Sequence, residues 1–241
     1  MASIHNRIRT IIINGGLLLS FASGFAQEIQ AVKEEATVKI DSLYREDQFF
    51  FSFTYNTLQN KPADFSQSKF ATGFSAGFVR DMPIVKDRTV AIASGLGFTY
   101  NNYNQNLAIT GTNELPVYNI VDTDTYSKSK FSQLFIDVPL EVRWRTSTYQ
   151  SYKFWRIYGG VKLSYLLYNK SVFNGDSGNT TLTNNKDFNK LVYGLYLAVG
   201  NNSINVYTYY GLNPIFKNGT QVDGQNLSVQ ALNMGLIFYI L

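Results

Sequence analysis

The sequence predicts an all-β protein, an eight-stranded antiparallel transmembrane β-barrel with long extracellular loops and short periplasmic turns. Three observations lead to this fold class. Eight segments alternate apolar with polar or small residues, the connections between them alternate between short and long, and the first residues resemble an export signal. Aromatic residues make up 15% of the chain and charged residues only 16%, which argues against disorder and against a coiled coil.

Residues 1–26 have the pattern of a secretory signal peptide. Arg7 and Arg9 supply the positive charge, an apolar run follows them, and Gly24 and Ala26 are the small residues that a signal peptidase requires. A retained membrane anchor is the alternative. The apolar run is shorter than the roughly 20 residues of a bilayer-spanning helix, so we expect cleavage after Ala26.

Cleavage leaves residues 27–46 as a polar periplasmic lead-in and residues 47–241 as the barrel. The only histidine, His5, lies in the signal, and the chain has no cysteine. A mature chain without His or Cys has no Ser-His-Asp triad, no thiolate nucleophile and no His- or Cys-ligated metal. The sequence therefore predicts a protein that is not an enzyme and carries no cofactor.

The predicted strands show a period of two along their length. They cover residues 49–56, 70–80, 90–101, 134–145, 155–167, 191–200, 204–212 and 231–241. A soluble antiparallel sandwich would show the same alternation. Most of these segments exceed the roughly 5–6 residues of a typical soluble strand and suit the roughly 9–11 residues of a tilted bilayer crossing. Their second faces are polar, charged or small, as the interior of a membrane barrel requires.

The connections alternate strictly in length along the chain. The short ones are residues 81–88, 146–153 and 200–203, and the long ones are residues 58–69, 102–130, 169–187 and 213–226. Outer-membrane barrels have short periplasmic turns and long extracellular loops. The sequence therefore predicts an integral outer-membrane protein with both termini in the periplasm, in contact with outer-membrane lipid. A net charge that falls from +4 to +2 without Arg7 and Arg9 predicts no binding to nucleic acid.

The predicted inward faces carry charges of both signs. The candidates for a charge network in the lumen are Asp137, Glu141, Arg143, Arg145, Arg156, Lys162 and Lys190. An eight-stranded barrel has an interior just wide enough for side chains to fill. Unpaired charges there are costly, so we expect a structural plug of salt bridges rather than an ion path.

Three stretches of the chain resemble the PorT (SprT) family of small outer-membrane barrels of Bacteroidota. They are RDMPIVKDRTVAIASGLGFTYNNYNQNL at residues 80–107, FIDVPLEVRWRTST at residues 135–148 and KFWRIYGGVKLSY at residues 153–165. The VPLEVRW strand is shared by many barrels of that phylum, whereas its combination with DMPIVKDR and NNYNQN is more specific. The resemblance covers about the middle third of the chain.

The resemblance implies a role in type IX protein secretion and, in gliding species, in motility. It implies protein partners within a secretion complex and no catalytic residues. An eight-stranded barrel is too narrow to pass folded cargo, so an accessory or assembly role is expected rather than a conduit. The alternatives are an OmpA-like structural or adhesive barrel and a narrow solute channel, neither with a role in secretion.

Overall fold

The computed structural model describes residues 46–67, 69–146, 155–176 and 178–240. They belong to one compact unit, Asp41–Leu241. The predicted signal peptide, residues 1–26, and all of the predicted lead-in except Glu46 lie outside the described residues. Within the described residues, no helix is long and apolar enough to cross a membrane.

The described chain is built from β-strands that close into a barrel. In chain order they are β1 (Glu46–Gln59), β2 (Thr72–Pro83), β3 (Val90–Asn104), β4 (Leu107–Gly111), β5 (Pro116–Ile120), β6 (Tyr126–Arg145), β7 (Trp155–Gly175), β8 (Gly178–Thr183), β9 (Leu191–Asn201), β10 (Ile204–Gly211), β11 (Gln221–Val222), β12 (Gln225–Asn226) and β13 (Gln230–Ile240). Eight of them, β1, β2, β3, β6, β7, β9, β10 and β13, pair in that order, and β13 pairs with β1 to close the ring. Every pairing is antiparallel. This confirms the predicted eight-stranded antiparallel barrel and excludes the two-sheet sandwich.

The alternating sequence of each strand divides its side chains between two surfaces. In β1, Phe49, Phe51 and Phe53 are exposed on the outside, whereas Ser52 and Thr54 are buried inside. Successive strand residues point to opposite faces, so the aromatic positions share the outer surface. Outward apolar rows of this kind are what a barrel presents to lipid.

Glycines make room for larger side chains inside the barrel. A Cβ atom at Gly77 would lie 2.6 Å from Cε1 of Phe50, and one at Gly97 would lie 2.7 Å from Cζ of the same ring. Phe50 is buried, and it fills the space that these two glycines leave. The small residues on the inward faces of β2 and β3 are therefore a packing requirement.

The two ends of the barrel differ in their connections. Residues 84–89, 146–154 and 202–203 are short and join strands at one rim, which we call the short-turn end. Residues 60–71, 105–125, 176–190 and 212–229 are longer and join strands at the other rim, the long-loop end. This alternation agrees with the predicted order of short and long connections.

The long connections contain secondary structure that the sequence does not predict. Strands β4 and β5 form a hairpin within the predicted loop 102–130, and β8 extends the sheet of β7 within the predicted loop 169–187. The strands β6 and β7 also run farther than predicted, to Tyr126 and Gly175. Serine, lysine and asparagine are common in these extensions, so they lack the apolar alternation that marks a lipid-facing strand.

A bulge at Leu167 changes which face each residue of β7 occupies. Leu134 pairs with Tyr168, whereas the next residue, Phe135, pairs with Leu166. Such an extra residue reverses the alternation that follows it. Tyr168 and Lys170 are consequently exposed outside, whereas Asn169 and Ser171 are buried.

Candidate functional site

An ion network fills the interior at the short-turn end. Arg143 donates from Nη1 to Oδ1 of Asp81 at 3.0 Å and from Nε to Oε2 of Glu141 at 2.7 Å. The same Nη1 also donates to Oε1 of Gln48 at 2.9 Å. Arg145 donates from Nη2 to Oδ2 of Asp81 at 2.8 Å. The Arg143 and Asp81 side chains are fully buried, so these bonds replace the water that the charges lose on folding.

Tyrosine rings surround this network. The guanidinium carbon of Arg143 lies 4.5 Å from the ring centroid of Tyr158 and 5.3 Å from that of Tyr239. The two rings meet edge to face with centroids 5.3 Å apart. The guanidinium of Arg156 stands on the Tyr158 ring as well, at 5.7 Å. These arginines gain cation–π attraction in addition to their hydrogen bonds.

A second charged pair lies farther from the short-turn end. Nζ of Lys162 is 3.7 Å from Oδ2 of Asp137, and the Thr99 hydroxyl donates a short hydrogen bond to the same oxygen. The Lys162 ammonium also lies 4.5 Å from the ring centroid of Tyr209. A cavity of about 20 Å³ borders Lys162, Thr99 and Gln133. That volume is enough for about one water molecule.

Aromatic side chains close the interior at the long-loop end. The ring centroids of Phe188 and Phe216 are 4.5 Å apart, those of Phe131 and Phe188 are 5.4 Å apart, and those of Tyr103 and Phe131 are 5.0 Å apart. All four side chains are almost fully buried. Phe188 and Phe216 belong to two different long connections, which an isolated β-bridge between them joins. We call these four residues the aromatic plug.

A polar cluster fastens the hairpin β4–β5 to this plug. The Tyr118 hydroxyl donates to Oδ2 of Asp187 at 2.9 Å and accepts from Nδ2 of Asn185 at 2.8 Å. The Tyr118 ring meets that of Phe216 edge to face, with centroids 5.8 Å apart. Burial raises the pKa of the Tyr118 phenol well above its usual range, and the nearby Asp187 carboxylate raises it further. Tyr118 is therefore a neutral hydrogen-bond donor at all physiological pH values.

The structure brings together six of the seven residues predicted for the lumen network. These are Asp137, Glu141, Arg143, Arg145, Arg156 and Lys162, which face the interior. Lys190 is placed differently, because its side chain is exposed. It precedes β9 and lies in a long connection, where its carbonyl accepts a hydrogen bond from the Leu166 amide. The alternation of β9 therefore does not extend back to this residue.

Sequence reasoning missed part of the filling. It places Asp81 in a turn, whereas Asp81 lies on the inward face of β2 and joins two arginines. Continuing the inward positions of that strand past residue 80 would have found it. The aromatic plug was also missed, although Ile215 and Phe216 are adjacent apolar residues within a predicted loop that is mostly polar.

The filled interior limits what the barrel can do chemically. Within residues 46–67, 69–146, 155–176 and 178–240, no group of three or more His, Cys, Asp or Glu side chains could hold a metal ion. The buried arginines and carboxylates engage one another, and the cavity that borders Lys162 has a volume of only about 20 Å³. Among the described residues, the arrangement is that of a barrel with a filled interior and an exposed outer surface.

Similarity to known proteins extends over most of the chain. A family model described as "Outer membrane protein beta-barrel domain" matches residues 25–217. Among solved structures, the crystal structure of Neisserial surface protein A (NspA) matches with 14% sequence identity and a TM-score of 0.35. That match covers 82% of this chain and 98% of the neisserial chain. No curated protein matches the sequence.

Proposed function

Since the chain belongs to the family of outer membrane protein β-barrel domains, we propose that this outer-membrane barrel is a non-enzymatic accessory or assembly component of type IX protein secretion. The main support for this proposal is the filled interior. It favours an accessory role over the conduction of solutes or cargo through the barrel. Buried ion pairs occupy one half of the lumen and the aromatic plug occupies the other. A solute channel of this width would need a continuous polar opening.

The link to secretion rests on the three stretches that resemble the PorT family. They lie on β2, β3, β6 and β7, which are consecutive neighbours in the barrel. They also contain Asp81, Asp137, Glu141, Arg143, Arg145, Arg156 and Lys162. The resemblance therefore concerns one continuous wall of the barrel and its internal charges.

The two rims offer surfaces for protein partners. At the short-turn end, Ile84 and Val85 are exposed in the connection 84–89. At the long-loop end, Leu115 at the tip of the hairpin β4–β5 is 76% exposed. We propose that the short-turn end faces the periplasm with both termini and contacts a component of the secretion complex there. Exposed apolar residues on loops are suited to such contacts.

The decisive experiment is a clean deletion in the native host, followed by proteomics of the culture medium and of the cell surface. We expect type IX cargo to accumulate in the periplasm and to return to the surface on complementation with the full chain. Unchanged export would overturn the secretion role and leave a structural or adhesive barrel as the better description.

Complementation with rim variants locates the contact. An Ile84→Asp/Val85→Asp variant should fold and insert but fail to restore export, because it places charge on the proposed contact. Leu115→Asp tests the opposite rim in the same assay. Asn218→Asp, an exposed substitution in another long connection, is the matched control and should restore export fully.

A further inference from the structure

Three lysines stand on the outer surface of β6 and β7 near the long-loop end. Lys128 and Lys170 are exposed, and Lys130 is partly buried. Lys130 pairs with Val172, and Ser132 pairs with Lys170. Lys130 and Lys170 are therefore diagonal neighbours, with Cα atoms about 7–8 Å apart. We call Lys128, Lys130 and Lys170 the lysine patch.

The lysine patch lies directly beyond the apolar band of the same strands. The outward row of β6 runs from Leu134 to Trp144 and contains only apolar side chains. Ten residue steps at about 3.3 Å, tilted by roughly 40°, span about 25 Å along the barrel axis, which is the height of a lipid-facing band. Lys130 lies four residues beyond Leu134 and so stands at the level of lipid headgroups.

No outward acidic side chain on the neighbouring described strands offsets the positive charge of this surface, and the nearest carboxylates along the chain, Asp124 and Asp176, lie in the connections beyond β6 and β7. None of the outward side chains of β3, β6, β7 and β9 in the described chain is acidic. Among the described residues, no ion pair involves a lysine of the patch. A further ammonium lies nearby, because Nζ of Lys69 donates to the Ser127 carbonyl at 2.7 Å.

The opposite wall of the barrel lacks such charges. At the long-loop ends of β1, β10 and β13 the outward residues include Thr57, Gln59, Tyr210 and Gln230, all uncharged. Tyr210 and Gln230 bond to one another there, with the phenol donating to Oε1 at 3.1 Å. Among these outward strand residues, positive charge is thus found on β6 and β7, whereas the exposed Lys61 and Lys217 lie in connections.

We propose that the lysine patch binds the phosphate of an anionic lipid whose acyl chains lie on the apolar band of β6 and β7. Lysine ammonium groups bind phosphate as point charges, and clusters of them beside a membrane attract anionic headgroups. Exposed Leu167 and Tyr168 at the bulge of β7 form the apolar floor beneath the headgroup. This proposal uses the membrane placement of the barrel but not its role in secretion, so lipid binding and cargo export can fail separately.

The test measures lipid binding to the full chain in non-ionic detergent micelles by native mass spectrometry. The probes are diphosphorylated lipid A, the same lipid with its phosphates removed, and inorganic phosphate. The wild type should bind the phosphorylated lipid roughly tenfold to a hundredfold more tightly than the dephosphorylated one. Inorganic phosphate should compete only weakly, because it lacks the acyl chains.

Two charge-matched triple variants make the test specific. Lys128→Gln/Lys130→Gln/Lys170→Gln should lose the preference for the phosphorylated lipid. Lys61→Gln/Lys86→Gln/Lys217→Gln removes three exposed charges elsewhere and should keep it. Equal preference in both variants would overturn the site, and full competition by inorganic phosphate would show an adventitious ion only. All six lysines are on the surface, so both variants are expected to fold.

Discussion

The two halves of the interior are filled by opposite chemistry. At the short-turn end, strand residues supply the charged side chains of the filling, and buried ion pairs such as Arg143 with Asp81 hold it together. At the long-loop end, connections supply Phe188 and Phe216, which pack as rings without charge. One barrel can therefore be filled by ion pairs at one end and by apolar packing at the other. We expect different substitutions to destabilise the two ends.

The largest effect is expected from breaking the charged half. Arg143→Met removes the partner of Glu141 and one partner of Asp81 in a dry environment. We expect it to lower the free energy of unfolding by about 3–5 kcal/mol. Urea titration of the folded fraction, followed by the gel mobility of unheated samples, measures the loss.

The control for this variant also removes the charge of Glu141, which loses its arginine partner in Arg143→Met. Adding Glu141→Gln to Arg143→Met should recover part of the lost stability, because the amide is much cheaper to bury than an unpaired carboxylate. Equal stability of the single and double variants would mean that the charge of Glu141 is solvated in another way.

The next effect tests the apolar half. Phe216→Ala removes a ring that packs on Phe188, Phe131 and Tyr118. We expect a loss of about 3 kcal/mol, at the lower end for such truncations because connections relax into cavities more easily than strands do. The same titration measures it.

A conductance measurement tests whether the aromatic plug closes the barrel on its own. Phe216→Ala should remain non-conducting in planar bilayers, since the ion network around Arg143 still fills the other half. Stable single-channel currents from this variant would show that the aromatic plug alone closes the barrel.

A smaller effect separates hydrogen bonding from packing at the long-loop end. Tyr118→Phe keeps the ring but removes the donor to Asp187 and the acceptor for Asn185. We expect a loss of about 2 kcal/mol, the usual value for a bond to a charged group. Tyr126→Phe is the matched control, because its hydroxyl makes no hydrogen bond to the described residues, and it should change stability by less than about 0.5 kcal/mol.

The smallest effect lies outside both halves, in the connection 84–89. The amide and hydroxyl of Thr89 donate to Oδ1 of Asp87 at 3.1 and 2.8 Å, and these bonds hold the pKa of Asp87 below its usual 3.8. Thr89→Val removes the hydroxyl donor, so the pKa of Asp87 should rise toward 3.8 in a carbon-13 NMR titration.

The sign of the linked stability change follows from that direction. Because the folded pKa of Asp87 is depressed, its contribution is present above the unfolded pKa and lost as the pH falls through the folded value. Wild type and Thr89→Val should therefore differ at neutral pH and converge in strong acid. A constant difference at all pH values would exclude the ionised carboxylate as the cause.

The barrel wall is the part of the fold that the sequence predicts best. Strand starts at Val90, Trp155, Leu191 and Ile204 agree with the structure. Each begins an apolar alternation that lipid on one side and packed side chains on the other require. The hairpin β4–β5 was missed because it is covered by other connections, where no such alternation is needed.

The residues inside the barrel also divide into those that the sequence predicts and those that it does not. Charges on long alternating strands, such as Glu141 and Arg143, could be placed inside from periodicity alone. Lys190 could not, because it lies in a connection. Lys170 follows the bulge at Leu167, and a strict period of two from Trp155 would place it inside, whereas it is exposed. Contacts between connections, such as Phe188 with Phe216, depend on tertiary packing that no local pattern records.

The pairing of β1 with β13 runs without interruption from Phe49 opposite Ile240 to Gln59 opposite Gln230. The first and last barrel strands are thus ordinary neighbours, and Glu46 and Ile240 emerge at the same rim. A short peptide can join those two positions as another turn of that rim. The chain can then be opened at residues 202–203 instead, which gives a circular permutant with every strand pair retained. The fold of the barrel is thus defined by the order of strands around the ring and does not depend on which strand comes first in the chain.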